Sequence, residues 1–222
     1  MTESERELRL KSKAHVYKNS AGIRIPSVTT ITHVLGVPEA VVTAANKLGL
    51  EGIDSKKHWE DKAAIGTLAH ALILAPWTGD KEEDLKDGYT KAQIDLATNC
   101  HLSFLAWAKG KKIEPLYVEK PLISERFQYG GKFDFYGLVD LDLTLLDLKT
   151  GSGIYAEHWY QLGGYRNLLE ENGVELPKKY SVLNIPRAEN ESFDVQSRTN
   201  LDTEWEIFKR CLDIYRLQKK AR

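Results

Sequence analysis

The run Leu143-Thr144-Leu145-Leu146-Asp147-Leu148-Lys149-Thr150-Gly151 narrows the fold more than any other part of the chain. Leucines fall on both faces of its period-2 alternation, which marks a central strand buried on both sides. In the same alternation Asp147 and Lys149 point to one face, and Leu146 and Leu148 to the other. A carboxylate and an ammonium at the end of a buried strand are costly unless they are paired or bound to a metal. Two readings stay open here: a structural salt bridge at a strand end, or a site with room for a ligand at the Thr150-Gly151-Ser152-Gly153 loop that follows. A phosphate-binding P-loop is excluded, because Lys149-Thr150 precedes the glycines instead of following them.

Upstream of this run the pattern is helical. A turn at Asn19-Ser20-Ala21-Gly22 comes first. Ser27 is placed to cap a short helix over 27–35, and Pro38 to start another over about 38–48. A longer helix is expected over 55–74, broken at Pro76, then a solvated acidic loop over 80–88. Thr90 opens a further helix to about 108. Composition then switches to strand-like runs over 116–123, 131–139 and 143–149, with Gly130-Gly131 as a turn signal. A helix over 156–171, stopped by Asn172-Gly173, precedes strands over 180–185 and 192–198 and a last helix from 202 onward. This order predicts an α/β (α+β) fold with a central mixed sheet flanked by helices. The 222 residues suit one domain: a mainly helical part over 1–110, a β-β-β-α-β-β core over 111–200, and a C-terminal helix over 201–222.

Other residues in this framework have chemistry of their own. Asp134 stands between Phe133 and Phe135 on the strand before the leucine run, either exposed on a half-buried hairpin or held inward for a reason. Two carboxylates on neighbouring strands would make a hard, oxygen-rich site suited to Mg²⁺ or Mn²⁺. His70 interrupts an apolar helix, with Gly66 one turn earlier on the same face to permit close approach. Such a histidine is either a hydrogen-bonded core residue or a ligand. Gln161 and Tyr165 share a helix face, and Gly163-Gly164 between them point to close packing on the sheet or a nearby ligand.

In order, the chain reads Gly-Thr-x-x-His (66–70), Gly-x-x-Asp (131–134), Asp-x-Lys (147–149) and Gln-x-x-x-Tyr (161–165), on helix, strand, strand and helix. This ordered set resembles the PD-(D/E)xK nuclease superfamily, in particular its RecB-like exonuclease branch, which includes phage nucleases and the mitochondrial genome maintenance exonuclease. Pro26-Ser27-Val28-Thr29-Thr30-Ile31 and the final helix also resemble phage members. The resemblance implies a restriction-endonuclease-like core and a Mg²⁺- or Mn²⁺-dependent DNA nuclease. Most often this is an exonuclease that leaves 5′-phosphates, acting in phage or genome recombination, repair or replication. It implies one or two metal ions held by His70, Asp134, Asp147 and the Leu148 carbonyl, and an attacking water assisted by Lys149. Gln161 and Tyr165 would position nucleic acid. Glu119 matches a glutamate on the first core strand of the family.

Composition bounds the partners. Cys100 and Cys211 are too few for a disulfide scaffold, a four-cysteine zinc site or the iron–sulfur cluster of some members of that superfamily. With 31 Lys+Arg against 32 Asp+Glu, the net charge of −1 argues against nucleic-acid binding by bulk positive charge. Residues 1–25 carry six basic side chains against three acidic, and 201–222 six against four, so both ends are expected to join a DNA-tracking surface. DNA ends or single strands are the expected partner, with a single-strand-binding or recombination protein as a further one. The first ten residues are polar, unlike a secretory signal, and the apolar stretch over 63–77 is too short to span a bilayer. An intracellular, cytoplasmic protein without membrane contact is expected. Three other readings remain: a nuclease-fold module that binds nucleic acid without turnover, a structure-specific endonuclease, and a structural or partner-binding protein with an ordinary salt-bridged sheet.

Overall fold

In the computed structural model, which describes residues 15–188 and 192–221, the leucine run is the middle strand of a five-stranded sheet. The strands are β1 (Tyr17–Lys18), β2 (Arg24–Ile25), β3 (Ile113–Val118), β4 (Pro121–Ser124), β5 (Tyr129–Lys132), β6 (Phe135–Val139), β7 (Asp142–Lys149), β8 (Lys179–Asn184) and β9 (Asp194–Arg198). The helices are α1 (Val28–Thr32), α2 (Glu39–Leu50), α3 (Ser55–Thr78), α4 (Glu82–Lys86), α5 (Lys91–Ala108), α6 (Ala156–Glu171) and α7 (Asp202–Lys220). The main sheet has the order β3-β6-β7-β8-β9. Only the β7–β8 pair is parallel, because α6 carries the chain back across the sheet between them. The expected mixed sheet flanked by helices is therefore present.

The alternation of β7 divides two cores. Leu143 and Leu145 join Tyr136, Val182 and the inner faces of α1, α6 and α7 on one side. Leu146 and Leu148 join Leu183, Ile185 and the inner faces of α3 and α5 on the other. Full burial of one such leucine stabilises the fold by about 1.5–3 kcal/mol, so a strand that is apolar on both faces is held in register from both sides. Cys100 and Cys211 lie in different cores.

Several expected boundaries move. Helix α3 does not break at Pro76; it runs to Thr78 and stops at Gly79, which has a φ of 80° and donates its N–H to the Ala75 carbonyl. Within the last turn, the proline removes only one donor and the helix survives it. The acidic 80–88 segment contains α4, where Glu82, Glu83 and Asp84 complement the helix N-terminus and Lys86 pairs with Glu82. The three strand runs before α6 are five strands. Positive φ at Glu119 (47°) separates β3 from β4, and Phe133-Asp134 separates β5 from β6. Strands β4 and β5 pair with each other, outside the main sheet.

Gly130-Gly131 is not a turn but lies within β5. A Cβ on Gly131 would meet Tyr165, Val28 and Leu168 at 2.7–2.9 Å, so glycine is needed for close packing there. Likewise Gly163 and Gly164 face the last helix and not the sheet. Added Cβ atoms would meet the α7 backbone at Glu204 and the Phe208 ring, so the glycines let the last two helices approach each other. The turn at 19–22 closes the β1–β2 hairpin, whose strands were not foreseen. Strand β9 begins at Asp194, two residues later than expected. Four of the six basic side chains at the N-terminal end fall in residues 1–14, outside the described residues.

Candidate active site

The carboxyl end of β7 carries the site, because one neighbouring strand stops short there. The Lys149 carbonyl accepts the Ile185 N–H on the β8 side at 2.7 Å, so by alternation the Leu148 amide faces the β6 side. The β6 pairing ends at Phe135 opposite Leu146. Asp134, the residue before β6, turns its carboxylate into the gap. Its Oδ2 accepts the Leu148 N–H at 2.8 Å and its Oδ1 lies 3.1 Å from His70 Nδ1. Asp134 is therefore an inward-facing bridge and not a solvated hairpin residue. Its carbonyl also accepts the Glu119 N–H at 3.0 Å.

On the opposite face of β7, Asp147 is only 3% exposed. Lys149 Nζ lies 2.7 Å from Asp147 Oδ2 and donates to Gln161 Oε1 at 3.1 Å. The approach to Oδ2 misses hydrogen-bond geometry, so this oxygen has a charge partner but no hydrogen bond. Gln161 also points its Nε2 at Thr32 Oγ1, 3.4 Å away. One helix layer thus contributes His70 and the other Gln161, and they meet across the end of β7.

Electrostatics tie the two halves together. Burial opposes the charge on Asp134, but the imidazole of His70, the Lys149 ammonium and the Leu148 N–H together hold its carboxyl below the usual range. Burial works against protonated His70 too, yet its bond to Asp134 outweighs that and raises its pKa. Burial pushes the Asp147 carboxyl up, beyond what Lys149 restores, and the nearby Asp134 charge adds to the rise. One low and one raised carboxyl beside a lysine is an arrangement able to hold a cation or move a proton.

Among the described residues, no three His, Cys, Asp or Glu side chains converge as a ready-made metal cage; His70 and Asp134 bond each other, and Asp147 pairs with Lys149. The donor set nonetheless fits a hard cation: two carboxylates, one imidazole, a strand carbonyl at an open sheet position, and a buried Asp147 oxygen lacking a hydrogen bond.

The remaining expected residues are placed as follows. Gln161 is 9% exposed and reaches Lys149, whereas Tyr165 is 6% exposed and packs its ring edge-on to Phe133. Glu119 is not on the first core strand but one residue beyond it, at the β3–β4 break, paired with Lys132. Gly66 does permit close approach, since its Cβ would come within 2.9 Å of Thr150 Oγ1. Sequence reasoning missed Thr32 and Asn184. Asn184 lies opposite Lys149 in the parallel register, buried, with an amide oxygen that has no hydrogen bond. Its signal was visible as one amide in the apolar run Val182-Leu183-Asn184-Ile185.

No family model matches the chain, and no curated protein matches it. Distantly similar solved structures include two exonucleases. A putative exonuclease from Eubacterium rectale has 12% identity over 69% of this chain and 65% of its own, with a TM-score of 0.45. The alkaline exonuclease LHK-Exo from Laribacter hongkongensis has 14% identity over 88% of this chain and 92% of its own, with a TM-score of 0.35. SSO0001 has 13% identity over 69% and 74%, with a TM-score of 0.34.

Proposed function

We propose that this protein is a divalent-metal-dependent DNA nuclease, acting as an exonuclease that leaves 5′-phosphates. The observation that carries this reading is the meeting of Asp134, Asp147 and Lys149 around the open end of β7. His70, both carboxylates and the Leu148 carbonyl would hold Mg²⁺ or Mn²⁺. The bound ion would supply Lewis-acid polarisation of the scissile phosphate and a more acidic water. Lys149, held by Asp147 and Gln161, would orient the attacking water and offset the charge that builds on the phosphate. Gln161 acts on the reaction through Lys149, and Tyr165 through the wall it forms with Phe133 and Gly131, so both help position nucleic acid.

The deciding assay offers Mn²⁺ and single-stranded, duplex and flapped DNA labelled at either end. Asp147→Ala and Lys149→Ala are expected to lose cleavage while staying folded, and undiminished cleavage by both variants overturns the assignment. The direct pairing of His70 with Asp134 favours a second reading, a binding module without turnover. In that case DNA binds, no substrate is cut, and Mn²⁺ leaves the melting temperature unchanged.

A further inference from the structure

A groove of about 720 Å³ adjoins the carboxylate site, and its lining is of a different chemical kind. One wall is the row of small apolar side chains on α2. A second is α3, with Trp59, Lys62 and Gly66; a third is the loop after β7, with Thr150 and Tyr155; Arg187 completes it. Thr150 follows Lys149 in the chain and Gly66 lies one helical turn before His70, so the groove opens beside the proposed reacting centre.

Its aromatic and cationic groups are held in place. Tyr155 is 47% exposed, with its hydroxyl 2.6 Å from Ser152 Oγ. The Lys62 ammonium stands 5.0 Å from the centroid of the Trp59 ring. Arg187 donates to Thr150 Oγ1 at 3.3 Å and to the Lys62 carbonyl at 3.5 Å. Glu157 is the single acid among the lining residues, so positive charge prevails. Aromatic faces beside cations match a ligand with flat, weakly polar faces and an anionic backbone. In a duplex those base faces are covered by neighbouring pairs, whereas in a single strand they are free. An apolar protein segment would use the α2 wall but match neither the Lys62 nor the Arg187 charge.

We propose that this groove seats one or two unpaired bases of a single-stranded DNA end beside the reacting phosphate. Trp59 and Tyr155 stack on the bases, and Lys62 and Arg187 face the backbone. The inference rests on the nuclease reading of the adjoining site.

The test measures binding of a labelled oligothymidylate, and of its blunt duplex with oligodeoxyadenylate, to the full chain in EDTA by fluorescence anisotropy. Trp59→Ala and Tyr155→Ala are each expected to weaken single-strand binding about tenfold, with duplex binding unchanged. Trp59→Phe should restore most of the affinity, and melting curves verify that each variant is folded. Single-strand binding by both alanine variants at the wild-type level overturns the inference, and the groove then belongs to another partner such as an apolar protein segment. If the wild type cleaves DNA in Mn²⁺ in that case, the nuclease reading stands alone. If it never cleaves but binds single strands through Trp59, the groove assignment stands and the nuclease reading falls.

Discussion

His70 Nδ1 lies 3.1 Å from Asp134 Oδ1, joining a helix on one side of the sheet to a residue at the start of a strand 64 positions later. The other oxygen of the same carboxylate takes the Leu148 N–H. Asp134 therefore has a structural role, whatever else it does. Asp134→Ala leaves a buried N–H without its acceptor and is expected to cost about 1–3 kcal/mol in urea unfolding. Asp134→Asn keeps an oxygen for Leu148 and should cost clearly less. An equal loss for both variants would show that the Leu148 bond contributes nothing.

The buried Asp147 carboxylate depends on one ammonium. Lys149→Met is expected to destabilise the fold, because it leaves an uncompensated charge against burial. Asp147→Asn together with Lys149→Met should recover part of that loss, with a coupling energy of about 0.5–3 kcal/mol in a double-mutant cycle. Strict additivity of the two single changes would show that the pair has no energetic link.

Gly163 and Gly49 are both helical glycines with opposite surroundings. A Cβ on Gly163 would lie 2.8 Å from the α7 backbone, while one on Gly49 would meet nothing within 4 Å. Gly163→Ala is expected to lose about 1–3 kcal/mol through overpacking, despite the better helix propensity of alanine. Gly49→Ala should gain up to about 1 kcal/mol. Thermal melts of the two variants should move in opposite directions.

His158 gives a pH signature. Burial, with help from the Lys149 charge, lowers its pKa to about 4. The unfolded chain takes up this proton near the ordinary value of about 6.5. Between those values the unfolded state binds more protons, so stability falls as pH drops from about 6.5 to about 4. The contribution is fully present above that window. In His158→Gln the melting temperature should decline less over this range than in the wild type, and parallel curves would remove His158 as a cause.

Much of this was legible because burial writes itself into β7. Leucines on both faces required a central strand, and the alternation put Asp147 beside Lys149, as found. The helices over 156–171 and from 202 were readable from their stop signals and apolar spacing. The β4–β5 pair was not readable, since its separation from the main sheet depends on positive φ at Glu119 and on Tyr17 and Tyr165 covering two glycines. Those are tertiary facts with no local pattern. The site divided the same way: Asp134 was visible as a carboxylate between two phenylalanines, but its bond to the Leu148 amide follows from where β6 stops. Nothing near Thr32 in the sequence announced a partner on α6.

The contact between Thr32 and Gln161 spans 129 residues of chain. Together with the His70–Asp134 bridge, it gives the centre a high contact order, and closure entropy must be met before such contacts reward the chain. The centre cannot form in a nascent polypeptide until α6 has emerged and docked, long after α3 is complete. A half-made chain therefore has no assembled reactive end at β7, and competence arrives only with the finished fold.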